Sequence, residues 1–188
     1  MIFDAHCHIQ FPVYDKDRDE VIFRAKASGV KMIVVGTQYA SSVAAMKLAE
    51  KYPNEIWSTV GFHPNHIGMG WHHEKSEQKS STQEVWNSEQ FEQLSGNKCI
   101  VAIGECGLDY YRLREDDVVT RVSQSSVFED QIQLSHILQK PLMIHARDKK
   151  GVDDAYEDVR VLCHAYEGGD VLRKILHFYA GSLEMTKK

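Results

Sequence analysis

The chain has 188 residues, 43% hydrophobic and 26% charged, with ten histidines and a formal charge of −5. These proportions predict a single globular domain over 1–188. The acidic balance excludes a broad Lys/Arg surface as the main means of holding nucleic acid, so local positive charge would have to come from bound metal. Cys7, Cys99, Cys106 and Cys163 form no C-x-x-C pair, and neither a leader nor a run near the roughly 20 apolar residues of a membrane helix is visible, which predicts a cytoplasmic protein without membrane contact.

In chain order, short β-branched apolar runs alternate with amphipathic segments. Ile2–Phe3, leading to Asp4, predicts a first strand, followed by a helix over Arg18–Ser28 and a strand over Lys31–Gly36. A helix at Ser42–Tyr52 carries Val43, Met46, Ala49 and Tyr52 as its apolar stripe, and Ile56–Gly61 predicts the third strand. The polar stretch Gly68–Ser81 is too long for a routine connection and predicts a mobile surface excursion. Beyond it come a helix at Thr82–Leu94, a strand at Cys99–Gly104, and a helix at Val127–Gln139 with Phe128, Ile132 and Ile137 inward. A strand at Pro141–Ile144, a helix at Asp154–Tyr166 and a strand at Lys174–Leu176 complete six βα-type units. Such alternation suits a parallel α/β architecture, either a doubly wound sheet or a (β/α)₈ barrel.

The chemistry concentrates at the strand ends. Residues two apart on a strand share a face, so Asp4, His6 and His8 project together and two imidazoles converge. Neutral imidazole is the commonest protein ligand for borderline divalent cations. Glu105, His145, His177 and His63 recur at the ends of other apolar runs, where the C-terminal loops of a parallel barrel build its active site. Asp4 is expected either to orient a ligand or to cap the site's floor, and Asp109, Tyr110 and Tyr111 to order the loop after Glu105. Arg147 has two readings: bidentate contact with an anion, or a structural ion pair. His136 and His164 fall in helical patterns and are expected to pack or face solvent. His72 and His73 are expected to be solvated, and His66 is read as a packing or surface residue in preference to one at the site rim.

The stretches F-D-A-H-C-H-I at 3–9, G-F-H-P at 61–64, G-E-C-G-L-D-Y-Y at 104–111, I-H-A-R-D at 144–148 and L-H-F-Y-A-G-S at 176–182 resemble the TatD family of metal-dependent deoxyribonucleases. The resemblance spans essentially the whole chain. It implies a (β/α)₈ TIM-barrel fold of the amidohydrolase type with about six of the eight βα units present, and a centre of two divalent metal ions (Zn, Mn or Mg) at its C-terminal mouth. By the same resemblance, His6 and His8 hold one ion, Glu105 bridges both, and His145 and His177 hold the second, while His63 contacts substrate near the phosphate. The family's further aspartate on the last barrel strand has no counterpart among these residues. A barrel of this kind takes about 250 residues, so the chain is expected to be a truncation or a partial record, with unpaired outer strands that favour self-association.

The residue set suits phosphodiester hydrolysis, with Glu105 and His63 as catalytic residues and His63 and Arg147 on the phosphate, and the resemblance implies DNA as the substrate, cleaved from the 3′ end of a single strand. Tyr110, Tyr111 and Trp71 are candidate stacking surfaces for splayed bases. Two other readings stand beside it. One is an amide or ester hydrolase such as a deacylase of mischarged transfer RNA. The other is a chain that binds metal or a partner without catalysis because that aspartate is missing.

Overall fold

The computed structural model describes residues 2–68, 71, 74–114, 116–166 and 173–187. Six strands, β1 (Ile2–Cys7), β2 (Val30–Val34), β3 (Ile56–Val60), β4 (Ile100–Asp109), β5 (Leu142–Arg147) and β6 (Lys174–Leu176), form one all-parallel sheet. Their spatial order equals their chain order, β1 to β6. A doubly wound sheet reverses its strand order at a switch point, whereas a barrel adds each unit beside the last. The architecture is therefore a partial barrel, with β1 and β6 as its outer strands.

Helices α1 (Arg18–Ala27), α2 (Tyr39–Lys51), α3 (Ser88–Ser95), α4 (Val118–Leu138), α5 (Asp154–Ala165) and the short α6 (Leu183–Thr186), with 3-10 turns at Pro12–Tyr14 and Pro64–His66, make up the remaining regular structure among the described residues. Two apolar clusters hold helices to sheet. Ile22, Ala45, Leu48 and Ala49 of α1 and α2 close over Met32, Val34 and Ile56. Phe91, Phe128, Ile132 and Val159 of α3 to α5 pack with Val60, Ile103, Leu108, Leu142 and Ile144. Burying a side chain of this size contributes about 1.5–3 kcal/mol, so Phe128 and Ile132, both at 0% exposure, anchor α4.

Three sequence expectations are corrected. Helix α4 starts at Val118 rather than Val127, because Asp117 caps it: the carboxylate accepts from the Thr120 N–H at 3.0 Å. The exposed Val118, Val119 and Val122 mask this first turn in a hydropathy reading. Ile137 is 69% exposed, and the inward row of α4 runs through Gln124, Phe128, Gln131, Ile132 and Ser135 instead. On α2 the buried row is Ser41, Ser42, Ala45, Leu48 and Ala49, leaving Val43 and Met46 half-buried.

Within the polar stretch Gly68–Ser81, Glu74 to Ser76 and Lys79 to Ser81 are exposed, but Glu77 and Gln78 turn inward. Glu77 and Gln78 fold back onto the C-terminal ends of β2 and β3, where Glu77 accepts from the Thr37 hydroxyl and from His66 Nε2 (2.8 Å), and Gln78 accepts from the Gln38 amide. Val13 N–H donates to the Ser76 carbonyl, and Lys79 pairs with Asp15. Polar side chains dock there because buried Thr37, Gln38 and His66 need partners. His72 and His73 lie outside the described residues.

Candidate metal centre

Glu105 occupies the middle of β4 rather than a loop after it. Strand β4 pairs with β3 up to Ile103 and with β5 from Ile103 to Asp109, and its β5 register shifts between Ile103 and Cys106. Such an irregularity re-aims a side chain. Two glycines permit it: Gly104 and Gly107 have φ of +146° and +127°, and a Cβ on them would lie 2.4 Å from the Met143 carbonyl oxygen and 2.0 Å from that of His145.

The carboxylate so placed is 3% exposed and lies at the centre of five imidazoles. His177 Nε2 is 2.7 Å from its Oε1, His145 Nδ1 3.3 Å and His63 Nε2 3.4 Å. On the other side His6 Nε2 and His8 Nε2 lie 3.4 and 3.6 Å from Oε2, and 3.1 Å from each other. His6 stacks on His177 with centroids 3.9 Å apart. Five of the sequence-predicted residues, His6, His8, Glu105, His145 and His177, are thus brought together, and His63 with them.

Outer partners fix how each ring presents itself. His8 Nδ1 donates to the Val35 carbonyl at 2.9 Å, which leaves Nε2 with its lone pair toward Glu105. His145 Nε2 donates to Asp109 Oδ2 at 2.9 Å, turning Nδ1 toward Glu105. His63 is arranged the opposite way: its Nδ1 accepts the Asn65 N–H at 3.1 Å, so the neutral ring carries its proton on Nε2, the atom that faces Glu105.

Burial opposes ionisation of Glu105, yet His63, His145, His177 and His6 around it hold its carboxyl well below the usual range. Burial is also the main influence on His8 and His63, and both are pushed down, toward the neutral form. Burial works the same way on His145, but hydrogen bonds to Asp109 and Glu105 outweigh it and raise this ring to about 9.

The donor set fits a divalent cation of borderline character: imidazole nitrogens around one ionised carboxylate. Two groups, His6–Glu105–His177 and His63–Glu105–His145, each have ligand atoms within 4.8 Å of one another. By carboxylate oxygen the grouping is another one, with His6 and His8 toward Oε2 and His145 and His177 toward Oε1. The Nε2 proton on His63 argues against it as a ligand in its second group.

Other expectations resolve residue by residue. Asp4 accepts from the His6 backbone N–H (3.2 Å) and is exposed, so it shapes β1 without reaching an imidazole. Arg147 forms no ion pair with a carboxylate among the described residues; its guanidinium lies over the Tyr111 ring, 3.9 Å from the centroid. Tyr110 is 2% exposed and donates to Asp158, so it is no open stacking surface. His66 is buried beside the site, while His136 and His164 are exposed.

Asp109 does more than order a loop, since it joins His145 to the Tyr111 N–H (3.0 Å). Its separation of four from Glu105 on a strand, an even number, is the signal that places both on one face. Gln124 and Gln131 of α4 escaped the sequence reading. Gln124 brackets Asp109, accepting from its N–H and donating to its carbonyl, and Gln131 does the same for Phe62, next to His63. Helix α4 therefore holds two site-bearing segments in place.

A family model described as TatD related DNase matches residues 3–188. The chain is 35% identical over 192 residues to the uncharacterized metal-dependent hydrolase YabD of Bacillus subtilis, covering 100% of this chain and 64% of that protein. To the 3′-5′ ssDNA/RNA exonuclease TatD of Salmonella typhimurium it is 34% identical over 187 residues, covering 99% and 62%. To that of Pectobacterium atrosepticum it is 34% identical over 151 residues, covering 78% and 50%. The crystal structure of YJJV, a TatD homolog from Escherichia coli, superposes with a TM-score of 0.69 at 26% identity, covering 99% of this chain and 63% of that one. The chain spans about half to two thirds the length of these relatives. Among the described residues no helix is long and apolar enough to cross a membrane.

Proposed function

This chain belongs to the TatD related DNase family, and from that premise we propose that residues 1–188 form one metal-dependent hydrolase unit acting on phosphodiester bonds at the 3′ end of single-stranded nucleic acid. The observation that carries the reading is Glu105, a buried carboxylate at the hub of His6, His8, His63, His145 and His177. A protein of net charge −5 needs such a centre to attract a phosphate.

Two divalent ions are the occupants that fit. Glu105 has two oxygens facing opposite histidine groups and would be shared between the ions, with Nε2 of His6, His8 and His177 and Nδ1 of His145 as the nitrogen donors that would hold them. Nitrogen-rich ligation favours zinc or manganese over magnesium. When bound, such ions supply Lewis-acid polarisation of the phosphoryl group and acidify water.

The chain's own residues do the rest. His63, neutral and carrying its proton on Nε2, donates a hydrogen bond to a non-bridging phosphate oxygen as charge develops there. Asn65 N–H locks that tautomer. Asp109 holds the His145 ring in register and keeps its Nε2 protonated, leaving Nδ1 as the atom that would hold a metal. His66, whose Nε2 donates to Glu77, lies edge-on to the His63 ring with centroids 6.2 Å apart. The four cysteines, all free, fit a reducing compartment such as the cytoplasm.

The test is Glu105→Gln, which preserves shape and removes the charge. Metal content by elemental analysis and nucleotide release from a labelled single-stranded oligonucleotide should both fall, by more than the roughly 10–100-fold cost of losing an outer partner. Full activity in the variant, or turnover of an aminoacyl ester with none of the oligonucleotide in the wild type, refutes the assignment.

A further inference from the structure

Past His145 and Asp109, at the C-terminal ends of β4 and β5, lies a pair of side chains with no role in holding metal. Asp109 and Arg147 are partners in the β4–β5 register, and Arg147 follows His145 by two residues on the same strand face. At about 3.3 Å per residue this puts Arg147 roughly 6.6 Å farther toward the mouth, a span of one nucleotide. Tyr111 is 45% exposed, and the guanidinium of Arg147 lies 3.9 Å from its ring centroid. The ring is anchored from below: the Tyr111 N–H donates to Asp109, which also holds His145.

The neighbouring Tyr110–Arg121 stack shows what a structural pair looks like here. Tyr110 is 2% exposed, Arg121 lies 4.2 Å over its ring, its hydroxyl donates to Asp158, and Arg121 pairs with Asp154. The Tyr111–Arg147 pair is open to solvent instead, and among the described residues no carboxylate neutralises its guanidinium. Arginine presents a flat, weakly hydrated face that stacks readily, and a ring with few rotatable bonds loses little entropy in receiving a partner.

We propose that the Tyr111–Arg147 stack is a nucleobase platform: it takes, face to face, the base of a nucleotide flanking the phosphate seated at the Glu105 cluster. The proposal rests on the nuclease reading above and adds where the substrate is gripped. Every base has a π-face, so the platform tolerates any sequence. A base inside a duplex is already stacked and paired, so only an unpaired strand end can offer one, and preference for single strands follows from this pair.

The experiment compares two labelled single-stranded oligonucleotides that differ only at the 3′-terminal dinucleotide, which carries bases in one and abasic residues in the other. For the wild-type chain, loaded with zinc or manganese, kcat/KM should favour the base-bearing strand roughly ten- to a hundredfold. Tyr111→Ala should bring that ratio close to one, Tyr111→Phe should keep it, and Arg147→Lys, which retains charge but loses the plane, should lower it. If Tyr111→Ala fails to fold by circular dichroism, Arg147→Gln carries the test and should lower the ratio. A wild-type ratio near one, or a ratio unchanged in the folded variants, overturns the platform alone. Hydrolysis of neither oligonucleotide by the wild type overturns the nuclease reading and the platform with it.

Discussion

Asp109→Asn in the metal-free chain isolates the contact that orients His145. Burial disfavours the charged imidazole, yet hydrogen bonds to Asp109 and Glu105 raise His145 to about 9 from 6.5. At 1.36 kcal/mol per unit, the difference amounts to about 3 kcal/mol. The side chain is only 16% exposed, so little of this is screened by solvent. Because the folded value lies above the unfolded one, this stabilisation is fully present below pH 6.5 and disappears as pH rises through 9. Urea unfolding of the chelator-treated wild type should therefore show a loss of about 3 kcal/mol from this group between pH 6 and pH 10. Asparagine keeps the shape and accepts the Tyr111 N–H, but gives up the charge-assisted half of the bond, so the His145 ring should titrate at least a unit lower. Nuclear magnetic resonance of the ring protons reads this directly. A wild-type midpoint near 6.5, or one that does not move in Asp109→Asn, refutes the claim that Asp109 governs this histidine.

Glu77→Ala should destabilise the chain by about 1–3 kcal/mol, because His66 and Thr37 lose a buried acceptor; an unchanged urea midpoint would mean that the segment around Glu77 is not docked. Gly107→Ala should cost more than about 3 kcal/mol or prevent folding, since φ is +127° and the new Cβ would meet the His145 carbonyl oxygen at 2.0 Å; a stable variant with unaltered metal content would refute the close approach of β4 and β5.

Where local pattern and tertiary structure agree, the reason is that the element is short and its signal self-contained. Lys174–Leu176 is read identically both ways, and Ile56–Gly61 exceeds the observed β3 by one residue. The misses have a common cause. The first turns of α4 look unlike a helix because its buried face there is polar, with Gln124 inward to bracket Asp109. The Glu77 segment reads as solvated because each of its residues is polar, while its partners Thr37 and His66 lie 40 and 11 positions away.

By itself the sequence determined the strand-and-helix alternation, the period of two that aligns His6 with His8, and the presence of a histidine or glutamate at or just after five of the six apolar runs. Those are local properties, fixed by backbone geometry and hydropathy. The family resemblance already implied Glu105 as the shared ligand, and only the tertiary structure decided how it comes to face the histidines, through the β4 register shift and His177 arriving 72 residues later. The same holds for His63, which carries a proton on Nε2 where a ligand would offer a lone pair. The direction of a single N–H from Asn65 sets that difference, and no spacing of residue types encodes it.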